Sequence, residues 1–159
     1  MNPPAAREFD IRPMEPIQKP AIVEIARSLT QFFPEDVVKL ISDSLNTKPV
    51  LVGVLGEEVL GFLVYTPRDS QTAEIIWMGV KEDYHGLGLG SLMLDTLEES
   101  LEEQGIRKLV ASTLSYTVKY KPFEKVRTFY YNRGFASLGI QNNYYEDGMD
   151  RLILVKELH

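Results

Sequence analysis

Hydrophobic side chains follow two different spacings along this chain. Between residues 20 and 45 they recur every three or four positions, which predicts two helices separated by Pro34. Residues 9–13 predict a short edge strand ahead of these helices, with Pro13 at its end, where a missing N–H donor matters least. The segments 50–55 and 59–65 are apolar on both faces, which predicts a hairpin inside a covered sheet. A third segment, 72–80, is rich in β-branched and aromatic residues and predicts a further strand.

A strongly amphipathic helix is predicted after the glycine-rich segment that follows residue 84. Because a helix then joins the strand at 72–80 to a further strand at 106–114, these two strands are expected to pair in parallel. The element order predicts an α/β fold whose central, mostly antiparallel sheet contains one parallel strand pair and carries helices on both faces. A helix at 123–133 and strands at 135–141 and 151–156 complete the predicted order. In the amphipathic helix, Leu89, Met93, Leu97 and Leu101 are predicted to be buried, and Glu98, Glu99, Glu102 and Glu103 to face water.

Composition narrows the classes of function. The chain has 159 residues, so we expect a single domain over 1–159, with residues 1–6 as a flexible tail. It has no cysteine and only two histidines, far apart in sequence, so we expect neither a cysteine nucleophile nor a metal site. The net charge of −6 argues against a nucleic-acid partner. Since no apolar run is long enough to span a bilayer and no secretion signal is evident, we expect a cytoplasmic protein without a membrane partner.

The residue types at 85–91 favour the binding of a phosphate group. The sequence His-Gly-Leu-Gly-Leu-Gly-Ser lies between a predicted strand and a predicted helix, and its glycines let the backbone turn tightly and approach a ligand. The free N–H groups at the start of the helix can then bind an anion. No acidic residue occupies the first helical turn, where one would normally be favourable. The alternative interpretation is a glycine-rich turn that only permits tight packing.

Two common phosphate-binding motifs do not fit this loop. A Walker loop ends in Gly-Lys-Ser/Thr, whereas this one ends in Leu-Gly-Ser without a lysine. A dinucleotide-binding fingerprint requires glycine or alanine three residues after its second glycine, and this chain has Ser91 there or, in the shifted register, Met93. The loop therefore belongs to neither class.

The loop and its surroundings resemble the GNAT superfamily of acetyl-CoA-dependent N-acetyltransferases. The family pattern Gln/Arg-x-x-Gly-x-Gly/Ala is similar to residues 85–90, with histidine at its first position, and the family's Tyr-x-x-x-Gly-Phe is similar to residues 130–135. The resemblance implies that the chain uses acetyl-CoA as cosubstrate. It implies cofactor contacts at the end of the preceding strand and along the loop: Met78, Gly79, Val80, His85, Gly86, Leu87, Gly88, Leu89, Gly90 and Ser91.

Two residues are candidates for proton transfer. Glu74 lies in an otherwise apolar strand, where a carboxylate can accept the proton of an attacking amine, and its position is similar to that of the glutamate base in the histone acetyltransferase branch of the superfamily. Alternatively, Glu74 faces solvent near the start of its strand. The match to the family tyrosine implies that Tyr130 donates a proton to the departing thiolate, with core packing as its other interpretation. Tyr131 and Tyr116 are the other candidate donors.

The resemblance implies an N-acetyltransferase in which a primary amine, on a small molecule or a peptide, attacks the thioester directly. The loops at 115–122 and 142–148 are expected to border the acceptor, and their tyrosines (116, 120, 144 and 145) offer an aromatic slot for a cation. Positive charge at Lys125, Arg127 and Arg133 fits either the 3′-phosphate of coenzyme A or a solvated helix face. A non-catalytic acyl-CoA-binding module is the rival interpretation, and transfer of a longer acyl group is a third. The oligomeric state stays open, although dimers are frequent in the family.

Overall fold

The computed structural model describes residues 8–145 and 148–159, so the predicted tail at 1–6 lies outside the described residues. The chain forms two compact units. The first contains the residues up to Thr66 together with Ile76–Ser100, and the second contains Pro67–Ile75 together with Leu101–His159. Within the described part of the chain, no helix has both the length and the apolar character needed to cross a bilayer.

The predicted order of helices and strands is confirmed. Two short 3-10 turns, Pro16–Gln18 and Glu82–Tyr84, are the additions that the hydrophobic pattern did not indicate. Along the chain, the elements are β1 (Asp10–Pro13), α1 (Lys19–Ser28), α2 (Glu35–Ser44), β2 (Val50–Leu55), β3 (Glu58–Pro67), β4 (Thr72–Val80), α3 (Leu89–Glu103), β5 (Lys108–Leu114), α4 (Pro122–Asn132), β6 (Ala136–Gln141) and β7 (Arg151–Glu157).

The strands form one seven-stranded mixed sheet in the order β1-β2-β3-β4-β5-β7-β6. Strands β4 and β5 are parallel, with Thr72 opposite Lys108 and Glu74 opposite Val110. The pairs β1/β2, β2/β3, β5/β7 and β6/β7 are antiparallel. The prediction of a mixed α/β sheet with a parallel pair is therefore confirmed.

In the first unit, helices α1 and α2 bury their apolar faces together with the hairpin β2–β3. Ile22 and Ile41 are completely buried, as is Phe62 of β3. Removing each such side chain from water contributes about 1.5–3 kcal/mol. Pro34 lies immediately before α2 in an extended conformation, as expected for the start of the second helix. The first helix already ends at Ser28, so the prediction that Pro34 ends it was wrong.

Helix α3 buries a broader face than the sequence predicts. Leu89, Met93 and Leu97 are almost completely buried, as expected. Glu98 is also buried, with 8% of its surface exposed, so the prediction that it faces water was wrong. The reason is helical geometry: Leu94 is completely buried too, and Glu98 follows it by one turn on the same side of the helix.

In the second unit, β5 and β7 as far as Val155 alternate between a buried face and a face that is at least partly exposed. Leu109 and Ala111 of β5 and Leu152 of β7 are completely buried, whereas Val110 and Arg151 stand on the half-exposed face. Because residues paired in register share a face, Glu74 stands on the same face as Val110. The half-exposed face of this part of the sheet therefore carries Glu74 and, further along, Arg151.

Helix α4 begins at Pro122, which suits the first turn of a helix because its missing N–H has no partner there anyway. Arg127 on this helix is buried and its Nη1 donates a hydrogen bond to the Leu114 carbonyl at 3.0 Å. Neither interpretation of the positive charges on this helix thus holds for Arg127, since the side chain supports the end of β5 from inside the unit. Lys125, in contrast, is exposed.

Candidate functional site

The glycine-rich loop leads from β4 into α3 through two glycines in the left-handed region of backbone space. Gly86 has φ +77° and Gly88 has φ +89°, conformations that are costly for any residue with a Cβ atom. A Cβ atom built on Gly86 would meet no atom of the described residues within 4 Å. Backbone conformation rather than crowding therefore requires glycine at 86, and the space beside it is open to a ligand.

Helix α3 starts immediately after these glycines. The N–H of Leu92 donates to the Gly88 carbonyl at 3.0 Å, which is the first turn of the helix. The N–H groups at Leu89, Gly90 and Ser91 precede that bond, so the helix itself offers them no acceptor. No acidic side chain lies in this first turn. Three backbone donors and the positive end of the helix dipole are thus arranged for an anion.

Two glycines inside the strands allow this helix start to lie directly against the sheet. Gly53 and Gly61 are opposite each other in β2 and β3, where the pairing register shifts. A Cβ atom on Gly53 would lie 2.6 Å from Cδ1 of Leu89, and one on Gly61 would lie 3.1 Å from Cε of Met93. Neither glycine was among the candidate residues predicted from the sequence, although glycine inside a strand often marks the close approach of another segment.

The strand end before the loop is fixed by backbone and side-chain contacts. Lys81 donates its N–H to the Leu60 carbonyl at 2.8 Å, and the imidazole of His85 folds back to contact the Val80 carbonyl through Nε2. His85 is therefore engaged by the strand that precedes it. A Cβ atom on Gly79 would lie 2.8 Å from the ring of Phe62, so this expected cofactor contact also requires glycine for packing.

Glu74 is held by two arginines. Its Oε1 accepts a hydrogen bond from Nε of Arg68 at 2.6 Å, and its Oε2 lies 3.7 Å from Nη2 of Arg151. Only 14% of the Glu74 side chain is exposed. The hydrogen bond to Glu74 raises the pKa of Arg68 above its already high ordinary value. Of the two carboxylate oxygens, Oε2 is the one without a direct hydrogen bond to an arginine, because 3.7 Å is too long for one.

Tyr130 is buried in α4 with 6% of its surface exposed. Its ring makes edge contacts with Phe129 and Phe135, at centroid distances of 5.4 and 5.1 Å. Burial raises the pKa of Tyr130 well above the ordinary tyrosine value, so the phenol keeps its proton at every physiological pH. Tyr131 and Tyr116, the other candidate donors, are exposed to 43% and 61%.

The expected acceptor loops are tied together by Asp150. Its carboxylate accepts a hydrogen bond from the Thr117 hydroxyl at 2.6 Å and from the Asn143 N–H at 3.0 Å. The guanidinium of Arg151 lies over the ring of Tyr144, 4.4 Å from its centroid. One face of the predicted aromatic slot is thus already occupied by a cation of the chain itself. Residues 146 and 147 of the second loop lie outside the described residues.

The predicted site residues fall in both units. Glu74 and Tyr130 belong to the second unit, and Met78–Val80 and the loop at 85–91 belong to the first. Within the described ranges, 8–145 and 148–159, no group of three or more histidine, aspartate or glutamate side chains could hold a metal ion. The predicted phosphate-binding loop therefore lies in the first unit, and the two predicted proton-transfer residues lie in the second.

The model of the acetyltransferase (GNAT) family matches residues 20–136, which is most of this chain. The chain belongs to this family. The family and the class of enzyme that the sequence predicted, an acyltransferase, are both confirmed.

Individual relatives agree with the family assignment. An uncharacterized N-acetyltransferase of Methanocaldococcus jannaschii is 29% identical over 108 residues, which cover 67% of this chain and 64% of that protein. The chain thus spans less than two thirds of that relative.

Solved GNAT structures have the same fold. The ribosomal-protein-S18-alanine N-acetyltransferase of Escherichia coli has a TM-score of 0.77 at 21% identity, over 94% of each chain. A GNAT family acetyltransferase of Elizabethkingia anophelis with acetyl-CoA bound has a TM-score of 0.74 at 20% identity, over 95% of this chain and 99% of that one.

Proposed function

We propose that this GNAT-family chain transfers the acetyl group of acetyl-CoA to a primary amine by direct attack. The observation that carries the proposal is the loop at 86–91, where two left-handed glycines lead into an acid-free helix start with three N–H groups available to an anion. Acetyl-CoA supplies a pyrophosphate that suits these donors. The acetyl-CoA bound in the Elizabethkingia structure supports the same choice of cosubstrate.

In this proposal, the coenzyme is held by backbone atoms of two segments. The loop residues His85–Ser91 take the pyrophosphate, and the end of β4 at Met78, Gly79 and Val80 takes the pantetheine arm as an added strand would. The open space beside Gly86 supports the first assignment, because a ligand can approach the backbone there without displacing a side chain.

The proposed chemistry is one acyl transfer with two proton movements. The amine nitrogen attacks the thioester carbon, a C–N bond forms and the C–S bond breaks. Glu74 takes the proton that the nitrogen loses, directly or through water, and its Oε2 is the suitable atom because Arg68 occupies Oε1. Tyr130, the candidate general acid, donates a hydrogen bond to the departing sulfur. The sulfur leaves as a thiolate stabilised by that bond and then takes a proton from solvent, which balances the proton that the amine gave up.

The burial of Tyr130 favours a role as a hydrogen-bond donor to the departing sulfur. Because its pKa is raised, the phenol is a weak acid and remains a hydrogen-bond donor throughout the reaction's pH range. Its main contribution is then to stabilise charge developing on the sulfur. No covalent enzyme intermediate is required, and the chain has no cysteine to form one.

The test of this mechanism is thiol release from acetyl-CoA in the presence of a panel of amines. We expect Glu74→Gln and Tyr130→Phe each to lower kcat by about 100-fold or more, the usual contribution of general acid–base catalysis. Glu99→Gln, on the exposed face of α3, is the control for the first variant. Tyr131→Phe discriminates the donors, since a loss in this variant but not in Tyr130→Phe would assign the role to Tyr131.

A non-catalytic acyl-CoA-binding module is the rival that shares the same loop. It would bind coenzyme A in calorimetry but release no thiol with small amines, polyamines or peptides, and it would be indifferent to both substitutions. A longer acyl group is tested in parallel by comparing acetyl-CoA with longer thioesters.

The proposal treats the two units as one functional domain, because the family match at 20–136 runs through both. It also includes a cytoplasmic location, no metal and an acceptor that is neither nucleic acid nor membrane. A homodimer is among the assemblies to be tested by sedimentation.

A further inference from the structure

The charged cluster of Arg68, Glu74 and Arg151 has one more positive than negative group. All three side chains lie in the second unit, and the side chains of Glu74 and Arg151 are only 14% and 15% exposed. Glu74 and Arg151 form a largely buried pair of opposite charge, and the half-exposed Arg68 adds a second guanidinium beside them, so the cluster carries a net positive charge.

The guanidinium of Arg151 is fixed by several contacts, but not all of its N–H groups donate a hydrogen bond to a described residue. Its Nη1 donates to Oε1 of Gln141 at 3.0 Å, and its plane lies over the ring of Tyr144. Its Nε–H is buried and has no hydrogen-bond partner among the described residues. Its Nη2 is 3.7 Å from Glu74, which leaves an ion pair without a direct hydrogen bond.

Arg68 provides the accessible side of the cluster. Its Nε is committed to Glu74, while half of its side chain is exposed. A guanidinium carries five N–H donors in a planar fork, so one bond at Nε leaves the Nη groups for another anion. Arg68 thus contacts Oε1 of Glu74 and Arg151 lies near Oε2, although the two arginines are far apart in sequence.

The backbone around Arg151 is preorganised. The preceding residue, Asp150, holds the loops at 115–118 and 142–145 through its bonds to Thr117 and Asn143. The Ser115 N–H also donates to the Asp150 carbonyl at 3.0 Å. A guanidinium fixed in this way loses little conformational entropy when it binds a ligand.

We propose that the acceptor is a free amino acid, whose carboxylate binds Arg68 and Arg151 while its amine faces Glu74. The inference rests on the proposed function, in which Glu74 takes the amine proton. In an amino acid the amine and the carboxylate share one carbon atom, which matches a carboxylate base with guanidinium groups directly beside it. Planar guanidinium groups are the preferred partners of carboxylates, and a ligand carboxylate supplies the negative charge that the cluster lacks.

A cationic acceptor fits this cluster less well. The ring of Tyr144, one of the tyrosines expected to bind a cation, is already occupied by Arg151. A diamine or a polycation would bring further positive charge next to two guanidinium groups, which is repulsive at short distance. The amino terminus of a peptide is the closer rival, because it has the same amine but a neutral amide in place of the carboxylate.

The experiment compares free L-amino acids with their C-terminal amides and with a diamine, at saturating acetyl-CoA, by thiol release. We expect kcat/KM for the best free amino acid to exceed that of its amide by about tenfold or more, since a hydrogen bond to a charged group is worth about 1.5–3 kcal/mol. The amide has the less basic amine, so a larger fraction of it is in the neutral form that attacks the thioester. A preference for the free acid must therefore outweigh this advantage of the amide.

Variants of the two arginines test whether these side chains cause the preference for the free acid. Arg151→Gln and Arg68→Gln should each move the ratio between acid and amide towards one, and Arg151→Lys should restore part of it. The measured quantity is the ratio of kcat/KM for the free acid to kcat/KM for the amide. A disturbance of Glu74 that affects both substrates equally therefore leaves this ratio unchanged. Arg12→Gln is the matched control: Arg12 also pairs with a carboxylate, Asp10 at 2.7 Å, but lies exposed in the first unit, and its variant should keep the wild-type ratio.

The outcomes separate the two proposals. If Arg151→Gln does not fold, Arg68→Gln decides, because its side chain is half exposed. An amide or diamine used as well as the free acid, or a ratio that neither variant changes, overturns the amino-acid inference while the acetyltransferase proposal stands. An amide preference assigns the acceptor to peptide amino termini. Absence of thiol release with every amine instead overturns the proposed function itself.

Discussion

The close approach of Leu89 to Gly53 offers a sharp test of how the sheet positions the loop that we propose binds the coenzyme. In Gly53→Ala, the new Cβ would lie 2.6 Å from Cδ1 and 3.3 Å from Cγ of Leu89. Ordinary carbon contacts are about 3.5–4.0 Å, so the two groups must separate by roughly 1 Å. Because Leu89 is almost completely buried, its side chain has little room for another rotamer, and we expect the start of α3 to move.

The magnitude follows from two opposing effects. Overpacking a filled core costs about 1–3 kcal/mol, and replacing glycine by alanine recovers about 0.4–1 kcal/mol through the unfolded state. We expect a net loss of about 1–2 kcal/mol in the free energy of unfolding, or roughly 2–8 °C in Tm for a chain of this length. Moving the helix start by roughly 1 Å also breaks a hydrogen bond to a bound pyrophosphate, which weakens the Kd for coenzyme A by about tenfold.

Urea unfolding and calorimetric titration with coenzyme A measure the two effects separately. Gly139→Ala is the matched control, because a Cβ atom there would meet nothing within 4 Å in the part of the chain that the structure describes, and the backbone of Gly139 is not left-handed. It should change stability by no more than about 0.5 kcal/mol and leave the Kd unaltered. A Gly53→Ala protein that loses stability but binds coenzyme A with the wild-type Kd would refute the link between this contact and the loop.

Three further predictions follow from the same structure. Gly86→Ala should weaken coenzyme A binding and cost about 1–2 kcal/mol of stability, because φ +77° is strained for alanine although space is available; equal Kd and Tm values would contradict this. Arg127→Met should destabilise the chain by about 1–3 kcal/mol in urea, since it leaves the Leu114 carbonyl without its buried donor. Asp150→Asn should be less stable than the wild type at neutral pH. The hydrogen bond from Thr117 and then that from Asn143 lower the pKa of Asp150, so its contribution is complete above the ordinary aspartate value of about 3.9 and is lost as the pH falls through the lower folded value. Urea curves at pH 7 and pH 3 should show the difference narrowing at the lower pH, and a constant difference would contradict the assignment.

The order of elements, the parallel pairing of β4 and β5, and the glycine-rich turn into α3 could all be predicted from the sequence. These features depend on local information: the period of the hydrophobic pattern, the glycines at 86 and 88, and the absence of acids in the first turn of α3. These local patterns can be recognised in the sequence because each helix or strand must bury its own apolar face. The family motif added the class of enzyme, which the match at 20–136 confirms. The coenzyme that the motif implies is part of the proposed function.

Tertiary structure decided what depends on contacts between residues distant in sequence. Glu98 reads as a solvent-facing acid, yet the width of the buried face of α3 covers it. Arg127 reads as surface charge, but the end of β5 accepts its hydrogen bond. The two arginines beside Glu74 come from positions 68 and 151, and no spacing rule predicts that they meet at one carboxylate. Charge pairing and close packing are properties of three-dimensional neighbours, whereas periodicity reports only the face on which a side chain lies.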